Sequence, residues 1–244
     1  MNDNIIYGRH PVVDAIKAGQ QFDKVMLQEG IRGEFEKMLR STCREYNIQL
    51  QVVPKTRLNR FVKGNHQGII GFTSLIEYQH IENVLPLIFE NSETPLILIL
   101  DGITDVRNFG AIARTAEVAG VHAIVIPQKG AALINADAIK TSAGALAKIP
   151  ICREKSLFNV IDFLHNSGVE VFVSSLESTD LIFNVDFKNP MALVIGSEDN
   201  GVHPKIMKIA DKQFIIPQIG TTDSLNVSVA TGMMLYEVMR QRIG

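Results

Sequence analysis

Cysteine is scarce in this 244-residue sequence, where Cys43 and Cys152 are the only two. Two thiols cannot build a disulfide framework or a thiolate metal site, and they suit a reducing compartment. Long apolar runs are missing as well. The longest, PLILIL at 95–100, falls far short of the roughly 20 residues that a membrane-spanning helix needs. The opening MNDNIIYGRHP has neither the basic start nor the apolar stretch of a secretory leader, so a cytoplasmic protein with no membrane partner is expected. No fixed-period repeat or low-complexity tract occurs. His10, His66 and His203 have no ligand spacing, so no metal is expected. Nucleotide fingerprints are also lacking. No G-x-G-x-x-G follows an apolar run, which disfavours a nicotinamide-dependent oxidoreductase. GSEDNG (196–201) has the outer glycines of a P-loop, but Val202 and His203 stand where Lys and Ser/Thr are required.

What is present fits a folded α/β chain. Hydrophobic residues make up 46% and charged residues 20%, an ordinary globular balance. The length allows an α/β domain with a small companion. Residues 1–75 carry 11 Lys+Arg against 7 Asp+Glu, a net of +4, and residues 76–244 carry 13 against 19, a net of −6. A basic front followed by an acidic body points to a polyanion at the front.

Residues 1–75 read as one compact α/β unit. HPVVDAIKAG and GEFEKMLRSTCREYN have helical spacing, and DKVMLQE, IQLQVV and GIIGFTSL read as strands, with a short helix after Pro54. Residues 76–94 are mixed and read as a linker with some helix. From Pro95 onward, PLILIL, HAIVIP, VEVFVSS, MALVIGS and QFIIP are short Val- and Ile-rich runs, as in strands buried on both faces of a parallel sheet. Helical segments alternate with them, which predicts a doubly wound domain over 95–244 that ends in a long helix from about Asn226 to Arg242.

Ligands of such sheets bind at the carboxyl ends of the strands. Three glycine-bearing polar loops fall there: 101–110, 196–201 and 217–226. They suit a ligand held through backbone groups, with an adenine ring, a carboxylate and a compact cation. If Asn108 caps the helix that follows the first loop, Arg114 lies nearly two turns in, on the side away from Phe109, Ile112 and Ala116. Taken alone, Arg114 is either an ordinary surface arginine or an anion contact, and Glu198 either an exposed turn or a functional acid. Ser224 and Asn226 read first as helix caps. At the front, Lys55, Arg57, Arg60 and Lys63 form an acid-free basic stretch around Phe61. Together with Arg9 and His10 they are candidate RNA contacts, with Phe61 more at home in the core.

Together the three loops are specific. NFGAIARTA (108–116), VIGSEDNGV (194–202) and IIPQIGTTDSLNVSVATGMMLYE (215–237) resemble, in order, the three motifs of the SpoU RNA methyltransferases of the SPOUT superfamily. YGRHPVVDAI resembles the start of the small, ribosomal-protein-like RNA-binding domain that precedes many of their catalytic domains. The resemblance implies a parallel-sheet domain with a deep trefoil knot and S-adenosylmethionine as cofactor. It implies a pocket that includes Gly196, Ile216, Leu225 and Leu176, and a catalytic set of Arg114, Asn108, Glu198, Ser224 and Asn226, in which Glu198 orients Arg114 of its own chain or of the partner subunit. It further implies a homodimer; Val227, Ala230, Met234 and Val238, on one side of the last helix, either form part of its interface or pack only on the chain's own sheet. Within the family the chain looks most like the bacterial enzyme that methylates a guanosine 2'-hydroxyl in the peptidyl-transferase region of 23S rRNA. Naked 23S rRNA or a large-subunit assembly intermediate is then the partner. A tRNA 2'-O-methyltransferase and a non-catalytic RNA-binding assembly factor are the alternatives. Intact Asn108, Arg114, Glu198 and Asn226 argue against the second.

Overall fold

The structure is a computed structural model that describes residues 4–221 and 224–244. It divides into two compact units, Met1–Glu77 and Tyr78–Gly244.

In the first unit, β1 (Ile5–Tyr7) leads into α1 (Arg9–Lys17). Then come β2 (Phe22–Gln28), α2 (Glu34–Glu45), β3 (Gln49–Val53), the single turn α3 (Lys55–Leu58) and β4 (Ile69–Thr73). The strands lie in the order β1-β4-β2-β3, with β4 antiparallel to β1 and β2, and β3 parallel to β2. Alternation along β2 divides the core. Val25 and Leu27 meet Val12, Ile16, Leu39 and Cys43 from the two long helices, whereas Met26 meets Val53, Leu58 and Ile70 on the other face. Phe61 lies past the end of α3 and is exposed, its ring packed edge-on against Phe72 at 5.0 Å. The core placement expected for it therefore does not hold.

The second unit begins where a linker was expected. Residues 78–94 instead supply β5 (Tyr78–Gln79) and α4 (Ile81–Glu90), and Ile81, Val84, Leu85 and Ile88 belong to the core. Next come β6 (Leu96–Asp101), α5 (Val106–Val118), β7 (Ala123–Pro127), α6 (Ala136–Thr141), β8 (Ile151–Glu154), α7 (Leu157–Asn166) and β9 (Glu170–Ser174). The unit ends with β10 (Met191–Gly196), α8 (Pro204–Ile209), β11 (Lys212–Phe214) and α9 (Val227–Ile243). The sheet order is β11-β9-β10-β6-β7-β8-β5, and all pairings are parallel.

Both faces of this sheet are covered. Ile97, Ile99, Val171 and Val194 pack with α4, α7 and α8, and the period-two alternation turns Leu98, Leu100 and Leu193 to the opposite side. All of these side chains are buried, each contributing about 1.5–3 kcal/mol. Helix α5 packs against α6 and α9, and α9 reaches β10. Gly110 permits the close α5–α6 approach, since a Cβ there would meet Thr141 Cβ at 2.7 Å and the Ala138 carbonyl at 3.0 Å. Near the end of α9, one guanidinium ties several strand starts together. Arg242 donates to the carbonyls of Thr94, Pro95, Phe187 and Asn189.

The face of α9 expected at a subunit interface is used inside the chain. Val227, Met234 and Val238 are buried and Ala230 is half-buried. Away from its C-terminal end, where Ile243 is exposed, the exposed large apolar residues of α9 are Val229, Met233 and Tyr236. Together with Phe183 they line a shallow, largely apolar depression.

Candidate functional site

Strands β6 and β10 are neighbours in register, with Gly196 opposite Asp101. Their carboxyl ends meet where the chain departs to opposite sides of the sheet, the position at which open α/β sheets bind ligands. A cleft of about 750 Å³ opens there. Leu176 after β9, Gly196 at the end of β10, Ile216 after β11, and Ser224 and Leu225 before α9 all line it. The four residues expected at a cofactor pocket are thus brought to one cavity. Sequence reasoning missed Ser174, Ser175 and Gln218 in the wall, and Met234 of α9. The VFVSSL stretch could have disclosed the serines, because they stand at a strand end like the three motifs.

The loop after β10 is closed on itself. Ser197 and Gly201 exchange backbone hydrogen bonds of 3.1 and 2.9 Å. A Cβ on Gly196 would lie 2.1 Å from Gly201 C and Val202 N. Glycine is required here for the backbone to fold back, and Asp101 Oδ2 reinforces the fold by accepting from His203 N at 2.7 Å.

That loop presents Glu198 to two asparagines. Glu198 Oε1 accepts from Asn108 Nδ2 at 3.0 Å and from Asn226 Nδ2 at 2.8 Å. It also faces Val227 N at 3.5 Å, at the positive end of α9. Asn226 Nδ2 further reaches Asn108 Oδ1 at 3.2 Å. The other end of the Asn226 amide caps α9, with Oδ1 accepting from Ser228 N and Val229 N. Asn226 is therefore both a helix cap and part of the cluster that ties the three loops together.

Two sequence readings need correction. The cap of α5 is Asp105, whose carboxylate accepts from the N–H groups of Arg107 and Asn108. Asn108 is thus inside the first turn, with its side chain free to reach Glu198. Glu198 does not hold Arg114 of its own chain; its bonded oxygen is taken by the two carboxamides. Arg114 is exposed and makes no hydrogen bond or ion pair with any described residue. It lies six residues past Asn108, about 9 Å along α5 and about 120° around it. Ser224 is exposed beside the cleft. Thr222 and Asp223 of the third motif lie outside the described residues.

In the first unit, Arg9, His10 and Lys55 line a second cleft, of about 690 Å³. Arg57, Arg60 and Lys63 are exposed but outside it. Arg9 lies over the Phe35 ring at 4.7 Å. Lys24, overlooked in the sequence, lies over Phe72 at 5.0 Å. Burial, then the Arg57 charge, hold its pKa below the usual lysine range. Among the described residues, no group of three His, Cys, Asp or Glu side chains is placed to hold a metal, and no helix is long and apolar enough to cross a membrane.

Comparison with known proteins follows the same division. Residues 95–236 match the model of the SpoU rRNA methylase family, and residues 5–79 match that of the RNA 2'-O ribose methyltransferase substrate-binding domain. A Staphylococcus aureus protein assigned to the TrmH family of tRNA/rRNA methyltransferases is 33% identical over 242 residues, 99% of this chain and 98% of the relative. A Bacillus subtilis protein assigned likewise, YacO, is 32% identical over 238 residues, 97% and 95% of the two chains. Among solved structures, the TrmH/SpoU tRNA modifying enzyme of A. aeolicus is 34% identical with a TM-score of 0.56, covering 67% of this chain and 84% of its own. The SpoU methyltransferase AviRb of Streptomyces viridochromogenes, solved with AdoMet, shares the fold at 22% identity with a TM-score of 0.63, over 98% and 90%. With three motif loops joined at one cleft and a family model spanning more than half of its length, the chain belongs to the SpoU rRNA methylase family.

Proposed function

We propose that this protein transfers a methyl group from S-adenosylmethionine to a ribose 2'-hydroxyl of RNA, and that the target is a guanosine in the peptidyl-transferase region of 23S rRNA. The observation that carries the reading is the Glu198–Asn108–Asn226 cluster, which fastens the three motif loops around one cleft. The cleft suits the cofactor. Leu176, Ile216, Leu225 and Met234 offer apolar surface for an adenine, while Glu198 and Asp199 supply negative charge near a sulfonium or ammonium. Bound there, the cofactor supplies an electrophilic methyl group.

The remaining task falls to the chain's own residues, because a ribose hydroxyl is protonated at neutral pH. Orienting it supplies several kcal/mol. Stabilising negative charge on its oxygen is assigned to Arg114, which is exposed and uncommitted among the described residues. Arg114 acts as a cation. A guanidinium is among the most basic of side-chain groups and holds its proton firmly near neutral pH, all the more on a solvent-exposed side chain. The charged fork instead donates to the 2'-oxygen and an adjacent phosphate, while a nearby group or water takes the proton. The front unit holds the RNA through Arg9, His10, Lys55, Arg57, Arg60 and Lys63.

A homodimer and the family's trefoil knot belong to the same proposal. The segments that would form the knot follow β9, β10 and β11 and line the cleft. The interface is assigned to the exposed stripe of Val229, Met233 and Tyr236 with Phe183. Mapping 2'-O-methyl groups in total RNA from cells with and without the gene tests the substrate. A lost mark in tRNA with 23S rRNA unchanged reassigns it. A protein that binds RNA but takes up no S-adenosylmethionine in a titration is an assembly factor.

A further inference from the structure

The cleft of the first unit has an unusual polarity. Its described lining contains Arg9 and Lys55 and no carboxylate. Three of its four carboxamides, all but Gln28, are also committed in one direction. Gly68 N donates to Nδ1 of the buried His66 at 3.0 Å, so that nitrogen is unprotonated and Nε2 carries the hydrogen. Nε2 in turn faces Asn59 Oδ1 at 2.9 Å, which fixes the amide with its oxygen inward and its NH2 available to the cleft. Asn65 Oδ1 accepts from Gln67 N at 3.3 Å. Gln67 Oε1 accepts from Arg9 N at 3.0 Å. Three carboxamide oxygens are therefore consumed within the wall, and three NH2 groups remain. A cavity whose charged side chains are cations, and three of whose four carboxamides present NH2 groups, favours an anion rich in acceptors.

Resting on the reading of this unit as the RNA-binding part, we propose that the cleft takes one unpaired RNA nucleotide whose base presents carbonyl oxygens, uridine or guanosine, with its phosphate toward Arg9 and Lys55. Uracil O4 and the guanine O6/N7 edge accept from NH2 groups, whereas cytosine N4 and adenine N6 present amino donors to them. The unit thereby reads base identity, while Arg57, Arg60 and Lys63, outside the cleft, contribute affinity without discrimination.

The test compares binding of the full chain to nine-nucleotide oligouridylate and oligocytidylate, equal in charge, at one salt concentration by fluorescence anisotropy. The expected result is a preference for oligouridylate of about tenfold. Asn59→Asp and Gln67→Glu keep the oxygens that hold His66 and Arg9 but exchange NH2 for a carboxylate oxygen. Both weaken all binding through charge, and in each the uridine-to-cytidine ratio falls to one or below. Arg60→Gln lowers both affinities and leaves the ratio intact. Photocrosslinking of oligonucleotides carrying 4-thiouridine to the unaltered protein gives a readout that needs no variant, with adducts expected between residues 55 and 68 or at Arg9 and His10. Equal binding of the two oligomers, an unchanged ratio in both acid variants, or adducts confined elsewhere overturns the proposal and leaves RNA binding standing. No binding of either oligomer overturns it together with the assignment of the front unit.

Discussion

At the scale of single residues, the proposed function gives one carboxylate and one guanidinium opposite duties. Glu198 Oε1 holds Asn108, Asn226 and the first N–H of α9. Hydrogen bonds to a charged group are worth about 1.5–3 kcal/mol each in favourable settings. Glu198→Gln loses the charge and can turn an NH2 toward the two amide donors. Isothermal titration should then show S-adenosylmethionine binding weakened about tenfold or more, with a lower melting temperature. Arg114→Lys should behave differently, because Arg114 holds no described residue. Its melting temperature and cofactor affinity should match the unaltered protein, while kcat falls at least about a hundredfold for want of the planar fork. Retention of most activity by the lysine variant would show that proton removal, not charge stabilisation, limits the rate. Motif matching singled out these residues in the sequence, but the partner of Glu198 could not be read there. Asn108 to Glu198 spans 90 positions, and nothing local distinguishes a carboxylate that accepts from asparagines from one that pairs with an arginine. A third residue governs stability. His122 Nδ1 accepts from Leu96 N at 3.0 Å at the start of β6. Burial holds its imidazole pKa below the ordinary value, against the opposing charge of Glu93. The folded state thus binds fewer protons than the unfolded chain. Stability is full above about pH 6.5 and declines as pH falls from there toward the folded pKa. His122→Asn, which retains an acceptor, should flatten that decline in thermal melts taken from pH 5 to 8.

Elements were legible where burial on both faces left a continuous apolar run. β6, β7, β9 and β10 announce themselves as short Val- and Ile-rich stretches, since a parallel strand between two helical layers has no polar face. Where that condition fails, so does the reading. β1 is a three-residue edge strand with an exposed end, β8 carries Arg153 and Glu154, and α4 contains Pro86, which argues against a helix on local grounds. Its burial overrides the proline. The cap of α5 is not legible in the sequence because Asp105 and Asn108 are both good caps, and only the hydrogen bonds choose between them. The loop after β10 carries a sharper expectation. Gly196→Ala sets a methyl group against the Gly201 and Val202 backbone, and backbone cannot move aside as a flexible side chain can. The Ser197–Gly201 turn must open, carrying Glu198 away from its asparagines. Loss of S-adenosylmethionine binding together with destabilisation of about 1–3 kcal/mol is expected in denaturant melts. A variant with unaltered affinity would show that the closed turn is not needed at the site.

The whole molecule joins a basic α/β unit to a parallel-sheet unit; the hydrophobic pattern changes near Pro95, whereas the second unit already begins at Tyr78 with β5 and α4. What the sequence could not show was which side of α9 the chain itself consumes. Helical spacing marks two apolar stripes, Val227/Met234/Val238 and Val229/Met233/Tyr236, and periodicity alone treats them alike. Only packing against α5 and β10 decides that the first is internal. The second remains in solvent, Tyr236 at 67% exposure and Met233 at 46%. It adjoins exposed Phe183 in a depression with little polar surface. In the proposed homodimer a second subunit would remove this apolar surface from water at about 25 cal/mol per Å², and a two-fold axis would set the same stripe on both protomers. Met233→Asp places a charge at its centre, and burying that charge unpaired costs several kcal/mol. Sedimentation velocity should show a dimer for the unaltered protein and a monomer for the variant at micromolar concentration. Far-UV circular dichroism should be unchanged, because Met233 contributes nothing to the internal core. If the variant remains dimeric, the subunits meet through another surface, and the stripe on α9 needs a different occupant.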